Sequence, residues 1–115
     1  MAKILVADDD GYIRNIIRTM LEEHEVIEAE NGQEALRLYE ESGPDLVLMD
    51  TMMPDMNGIE ATRRILELDP DAKVLMVTAF ASSRKEEMLD AGVKEVIPKP
   101  LRMDDLLKKL GKYIK

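Results

Sequence analysis

The chain has 115 residues, with 24 acidic and 16 basic side chains and a net charge of −8, enough for one domain with a real core and too few for two ordinary ones. The bases form no single cluster that could grip a phosphate backbone, which argues against nucleic acid as a direct partner, and no stretch is long and apolar enough for a signal h-region or a bilayer span. The absence of cysteine excludes disulfides and thiolate metal sites, and the combination fits a cytoplasmic protein.

Ile4 to Ala7 is a continuous apolar run between Lys3 and Asp8, the pattern of a strand buried on both faces of a parallel sheet. Three carboxylates follow it at once, Asp8, Asp9 and Asp10. Like charges this close repel unless a cation or hydrogen bonds compensate them, so the strand exit reads as an occupied site. A helix then runs from Gly11 to Glu23, with Ile13, Ile16, Ile17, Met20 and Leu21 at the spacing of one buried face. Glu25 to Ala29 reads as the second strand. Asn31 caps a second helix that buries Ala35, Leu36 and Tyr39 and stops at Ser42-Gly43-Pro44.

Asp45 to Met49 is the third strand, closed by Asp50 in "DLVLMD". Asn57 caps a third helix carrying Ile59, Ile65 and Leu66, which ends at Asp69-Pro70. Lys73 to Thr78 is the fourth strand. A fourth helix starts at Ser82 or Ser83 and offers only Met88, Leu89 and Ala91 for burial, which predicts loose attachment to the sheet. Glu95 to Ile97 is the fifth strand, followed by Lys99. The last helix buries Leu106, Leu107, Leu110, Tyr113 and Ile114, with Gly111 in its interior at a cost of roughly 1 kcal/mol relative to Ala.

Five βα units with short connections predict an α/β fold: a single domain over residues 1–115, doubly wound, with a parallel five-stranded sheet between two helical layers. Ligands of such sheets bind outside the carboxyl ends of the strands. One rim therefore collects Asp8, Asp9 and Asp10, Asp50, Thr78 and Lys99. Three carboxylates supply the hard oxygen ligands that Mg²⁺ prefers. A carboxylate that accepts a phosphoryl group needs a metal to offset charge, a hydroxyl for a phosphoryl oxygen and an opposing cation. Taken singly, each residue has an ordinary explanation: helix cap, strand-ending turn, β-branched strand residue, surface lysine. The combination favours chemistry.

With those residues in view, the sequence resembles the receiver domain of two-component response regulators over essentially its whole length. The resemblance is carried by "ILVADDD", "PDLVLMDTMMPDMNG", "VTA" and "KP". It implies a flavodoxin-like fold of strand order 2-1-3-4-5 and a phosphoacceptor signalling protein rather than an enzyme acting on a separate substrate. By resemblance Asp50 is the phosphoacceptor, charged by a sensor histidine kinase or phosphotransfer protein. Asp9 is a direct Mg²⁺ ligand, Asp8 acts through water, and Met52 through its backbone carbonyl. Thr78 bonds a phosphoryl oxygen, Lys99 pairs with its charge, and Lys99-Pro100 is cis. Asp10 carries no family role and reads as the cap of the first helix. "MMPDMNG" supplies a Pro and a Gly for a sharp loop.

The departures are specific. Val96 occupies a position, three before the lysine, that is often aromatic in the family. The "EEHEV" connection is short, with His24 as a loop residue. Met52 and Phe80, each two residues past a site residue, are bulky and apolar and are expected to restrict the hydrolytic water. Phosphorylation is expected to reshape the surface of the fourth helix, fifth strand and fifth helix for a downstream target protein, with the chain a monomer. Chemotaxis-type signalling leads; a phosphorelay intermediate and a receiver-like scaffold without phosphorylation are the alternatives. A flavodoxin-like cofactor binder fits poorly, since "DDDGY" repels phosphate. An aspartyl-phosphate phosphatase would carry an acid where Met52 stands.

Overall fold

The computed structural model describes residues 1–114. Ten elements alternate along the chain: β1 (Lys3–Ala7), α1 (Gly11–Met20), β2 (Glu25–Ala29), α2 (Gly32–Ser42), β3 (Leu46–Met49), α3 (Gly58–Leu68), β4 (Val74–Thr78), α4 (Lys85–Ala91), β5 (Glu95–Pro98) and α5 (Met103–Leu110). The five strands pair in parallel in the order β2-β1-β3-β4-β5. β3 and β4 are buried along their whole length, whereas β2 and β5 are only partly covered. Continuous apolar runs therefore occupy the centre of the sheet and mixed ones its edges.

Successive side chains of a strand point to opposite faces, and each face has its own core. Leu5, Ala7, Val47, Met49, Val74 and Met76 meet α2, α3 and α4 through Ala35, Tyr39, Ile59, Ile65 and Met88. Ile4, Val6, Leu46, Leu48, Leu75 and Val77 meet α1 and α5 through Ile17, Leu21, Leu106 and Leu110. The doubly wound reading of the sequence is what forms. Val96 packs against the first of these cores.

The caps follow the sequence in three helices. Asp10, Asn31 and Asn57 accept hydrogen bonds from the backbone N–H groups of Tyr12, Glu34 and Glu60, and Gly43 closes α2 in the left-handed conformation, φ 56°. Elsewhere the boundaries move. α1 ends at Met20 rather than Glu23, because the chain turns at Leu21 to hand His24 to β2, where its Nδ1 accepts the Ala2 amide proton at 3.0 Å. α4 begins at Lys85 rather than at a serine cap. The segment from Phe80 to Arg84 forms turns, and no side chain caps the helix. α5 stops at Leu110, so Gly111 is its C-cap and bears no helix-interior cost. Leu89 and Leu107, assigned to buried faces, are exposed.

Candidate functional site

The sheet order reverses direction between β1 and β3, and their carboxyl ends are where an open α/β sheet forms its crevice. Asp8 and Asp50 leave those two strands side by side: the Asp50 amide donates to the Ala7 carbonyl at 2.9 Å and the Asp8 amide to Ala29 at 3.1 Å. Both side chains are buried, and Asp9 is exposed beside them. One carboxylate oxygen from each of Asp8, Asp9 and Asp50 falls within 4.8 Å of the others.

Lys99 enters this acidic crevice from the far side of the sheet. Its Nζ lies 2.8 Å from Asp8 Oδ2 and 3.5 Å from Asp50 Oδ1. The Lys99-Pro100 peptide is cis, and the Lys99 amide donates to the Thr78 carbonyl at 2.9 Å. Burial alone would lower the ammonium pKa, but the hydrogen bond it donates to Asp8 and the charges of Asp50 and Asp8 overcome it and raise it. The Asp50 pKa is raised as well, which for a carboxyl disfavours the charged form. Burial first, then the neighbouring Asp8 charge, push its carboxyl up to about 6, against the opposing pull of Lys99 and the Thr51 N–H. Asp50 therefore lacks positive charge even with Lys99 in place.

That deficit is the test of whether the donor set fits a metal. Three hard oxygen donors converge with one ammonium between them, which suits Mg²⁺ and leaves a nitrogen- or sulfur-preferring metal without its ligands. Asp10 is not among the three. Its Oδ1 takes the Tyr12 amide proton at 2.9 Å, as a cap should, while its own amide holds Asp8 Oδ1 at 2.9 Å. Thr78 stands on the same rim, fully buried, its hydroxyl accepting from the Phe80 amide at 3.0 Å. Acceptance leaves that hydroxyl its proton to donate. Met52 lies on the loop after Asp50 with its side chain about half exposed.

Three supports of the site escaped the sequence reading. Arg14 donates from NH1 to the Asp8 carbonyl at 2.7 Å and from Nε to Glu28 at 2.9 Å. Arg18 reaches the same Glu28, whose pKa burial would raise and the two guanidinium hydrogen bonds lower overall. The four-residue spacing of Arg14 and Arg18 was the available signal, but their partner lies on β2. The sequence predicts a sharp turn at Gly58, yet the positive φ belongs to Asp55, at 68°. Gly58 is needed for close approach: a Cβ there would lie 1.8 Å from the Asp50 carbonyl oxygen. The third is Thr51, completely buried next to Asp50, to whose Oδ1 its amide donates at 2.9 Å.

Known proteins share this sequence pattern and fold. A family model described as the response regulator receiver domain matches residues 4–111. The chain is 38% identical over 119 residues to the chemotaxis protein CheY of Listeria monocytogenes, covering the whole of both. A CheY-like receiver domain protein from Methanospirillum hungatei superposes with TM-score 0.91 at 35% identity, over 97% of this chain and 92% of that one. A chain of the CheX-CheY-BeF3-Mg complex from Borrelia burgdorferi superposes with TM-score 0.91 at 28% identity, over 98% of this chain and 90% of that one. Among the described residues no helix is long and apolar enough to cross a membrane. A chain that matches along nearly all its length and closes the same fold around an acidic rim belongs to the response regulator receiver domain family of two-component signalling, and is of the chemotaxis type.

Proposed function

We propose that the chain is a phosphorylation switch in which Asp50 accepts a phosphoryl group from a phosphohistidine on a sensor histidine kinase or phosphotransfer protein. The observation that carries this reading is the buried Asp50 carboxylate, flanked by Asp8 and faced by Lys99 3.5 Å away. In the transfer an Asp50 oxygen attacks phosphorus, the P–N bond breaks, and its electron pair stays on the departing imidazole nitrogen. Lys99, charged and already within reach, pairs with the phosphoryl oxygens. Thr78 donates its hydroxyl proton to one of them.

Asp8, Asp9, Asp50 and the backbone carbonyl of Met52 are the groups that would hold Mg²⁺, Asp8 through water. When bound, the ion supplies the positive charge that the carboxylates and the incoming phosphoryl group otherwise lack. The switched state then presents the surface of α4, β5 and α5 to a downstream protein. Support for that surface comes from the exposed Leu89 and Leu107 and the absence of a side-chain cap on α4.

Intact mass after incubation with acetyl phosphate tests the reading. One phosphoryl adduct is expected for the native chain with Mg²⁺, and none without Mg²⁺ or in Asp50→Asn. An adduct that survives Asp50→Asn refutes the assignment of the acceptor.

A further inference from the structure

The two residues after Asp50 are both held by α4, one at its middle and one at its N-cap. The Thr51 hydroxyl donates to Met88 Sδ at 3.4 Å, and the Arg84 guanidinium, through NH1, donates to Met52 Sδ at 3.4 Å. Thr51 and Met88 are each completely buried. Among the described residues no buried side-chain polar atom lacks a partner, and the thioether is the partner the Thr51 hydroxyl has. Sulfur is a weak acceptor, so the bond is soft and can be exchanged without a large penalty. Arg84 is itself fixed, its Nε and NH2 bonded to Glu87 at 2.9 and 2.7 Å. It also begins the helix, its carbonyl accepting the Met88 amide at 3.1 Å.

Deepening the phosphorylation reading, on which this rests, we infer that Met88 and Arg84 are positioning residues for Asp50: by gripping Thr51 and Met52 they make the acceptor loop and the seating of α4 one two-state unit. Any shift of the Asp50–Met52 backbone that accommodates a phosphoryl group must carry Thr51 with it. Its hydroxyl then leaves the Met88 sulfur, and the one deeply buried large side chain of α4 loses a contact that locates it. Met52 is held separately, at the surface, by Arg84. Pinned by Arg84, it stays over the mouth of the site and limits water; released, it exposes the acyl phosphate. The device is local to this chain's Thr51, Met52, Arg84 and Met88.

Methyl NMR of the full chain, with its methionines labelled, reads both contacts, using acetyl phosphate and Mg²⁺ as the phosphorylating mixture. On phosphorylation of the native protein the Met88 and Met52 methyl signals should both shift. Thr51→Val keeps the shape and removes the donor; it should abolish the Met88 response, which Thr51→Ser restores. Arg84→Gln should shorten the aspartyl-phosphate half-life by about threefold or more, with Met88 still responding. An adduct that forms without moving the Met88 methyl, or a Thr51→Val protein whose Met88 methyl responds as in the native chain, overturns the inference. Should no adduct form, the phosphorylation reading fails, and amide exchange of residues 85–91 still decides the grip. Exchange about threefold faster or more in Thr51→Val supports it, and equal exchange overturns it.

Discussion

Asp50 is held in its site against its own charge. Burial and the Asp8 carboxylate raise its pKa to about 6 from an ordinary value of 3.8, so the folded protein binds a proton more tightly there than the unfolded chain. Between those values the folded state holds more protons, and stability falls as pH rises through that window. Asp50→Asn removes the effect. In chelator, the variant should exceed the native protein in stability by about 1–2 kcal/mol above pH 6, after allowance for solvent screening, with the difference fading below about pH 4. Urea melts at a series of pH values measure this. Addition of Mg²⁺ should narrow the gap by stabilising the native protein more than the variant. On the proposed phosphorylation reading, Met52 and Phe80, both exposed, are expected to restrict the hydrolytic water. Replacing both by Ser should shorten the half-life of the phosphoryl group by about threefold or more, and an unchanged half-life would remove them from the path of water.

The loop between β3 and α3 converts strand geometry into site geometry, and its tolerance is small. Gly58 donates to the Thr51 carbonyl at 2.8 Å, and a Cβ added to it would overlap the Asp50 carbonyl. Gly58→Ala should therefore destabilise by about 3 kcal/mol and impair phosphorylation together, because the only relief is to move the acceptor. Asn57→Ala, one residue earlier, removes a cap bond to Glu60. It should cost about 1 kcal/mol with phosphorylation retained, and the pair of variants separates stability from site geometry by denaturant melts and intact mass. α4 is a compromise of the same kind. Its few apolar residues predict loose attachment, and its seven residues lack a side-chain cap. Even so, Met88 is fully buried and anchors it. A short helix with one deep anchor is well suited to move as a body.

Switching across the domain should leave a pattern in amide exchange. On phosphorylation, protection should change in α4, β5 and α5 and stay constant in α2, whose Tyr39 hydroxyl is tied to Asp69 at 2.6 Å. Uniform exchange in both states would argue against a switched surface. The chain end is clasped to β5. Tyr113 donates to Glu95 at 2.7 Å, lowering the Glu95 pKa and raising that of Tyr113, while Lys73 bonds the Tyr113 carbonyl at 2.9 Å. The Glu95 contribution is present above its unfolded value of 4.5 and lost as pH falls through its lower folded value; that of Tyr113 is lost as pH rises above 10. Tyr113→Phe should cost under about 1 kcal/mol at neutral pH, with the difference from native shrinking below about pH 4, as paired melts would show.

The alternation of apolar runs with amphipathic stretches determined the ten elements and their parallel arrangement, since buried strands and one-faced helices announce themselves within a few residues. The same local logic placed Asp8, Asp9, Asp50, Thr78 and Lys99 on one rim and made Asp10, Asn31 and Asn57 caps. What lay beyond it were contacts between residues far apart in the chain. Lys99 meets Asp8 across 91 positions, Thr51 meets Met88 across 37 and Met52 meets Arg84 across 32. Helix ends escaped for a related reason: α1 and α5 stop where the chain must turn to reach the next strand or leave the sheet, although the apolar period continues. Periodicity reports which face a residue turns inward. Only the closed sheet decides which neighbour it finds there, because that depends on the strand order and on close approaches such as Gly58 to Asp50.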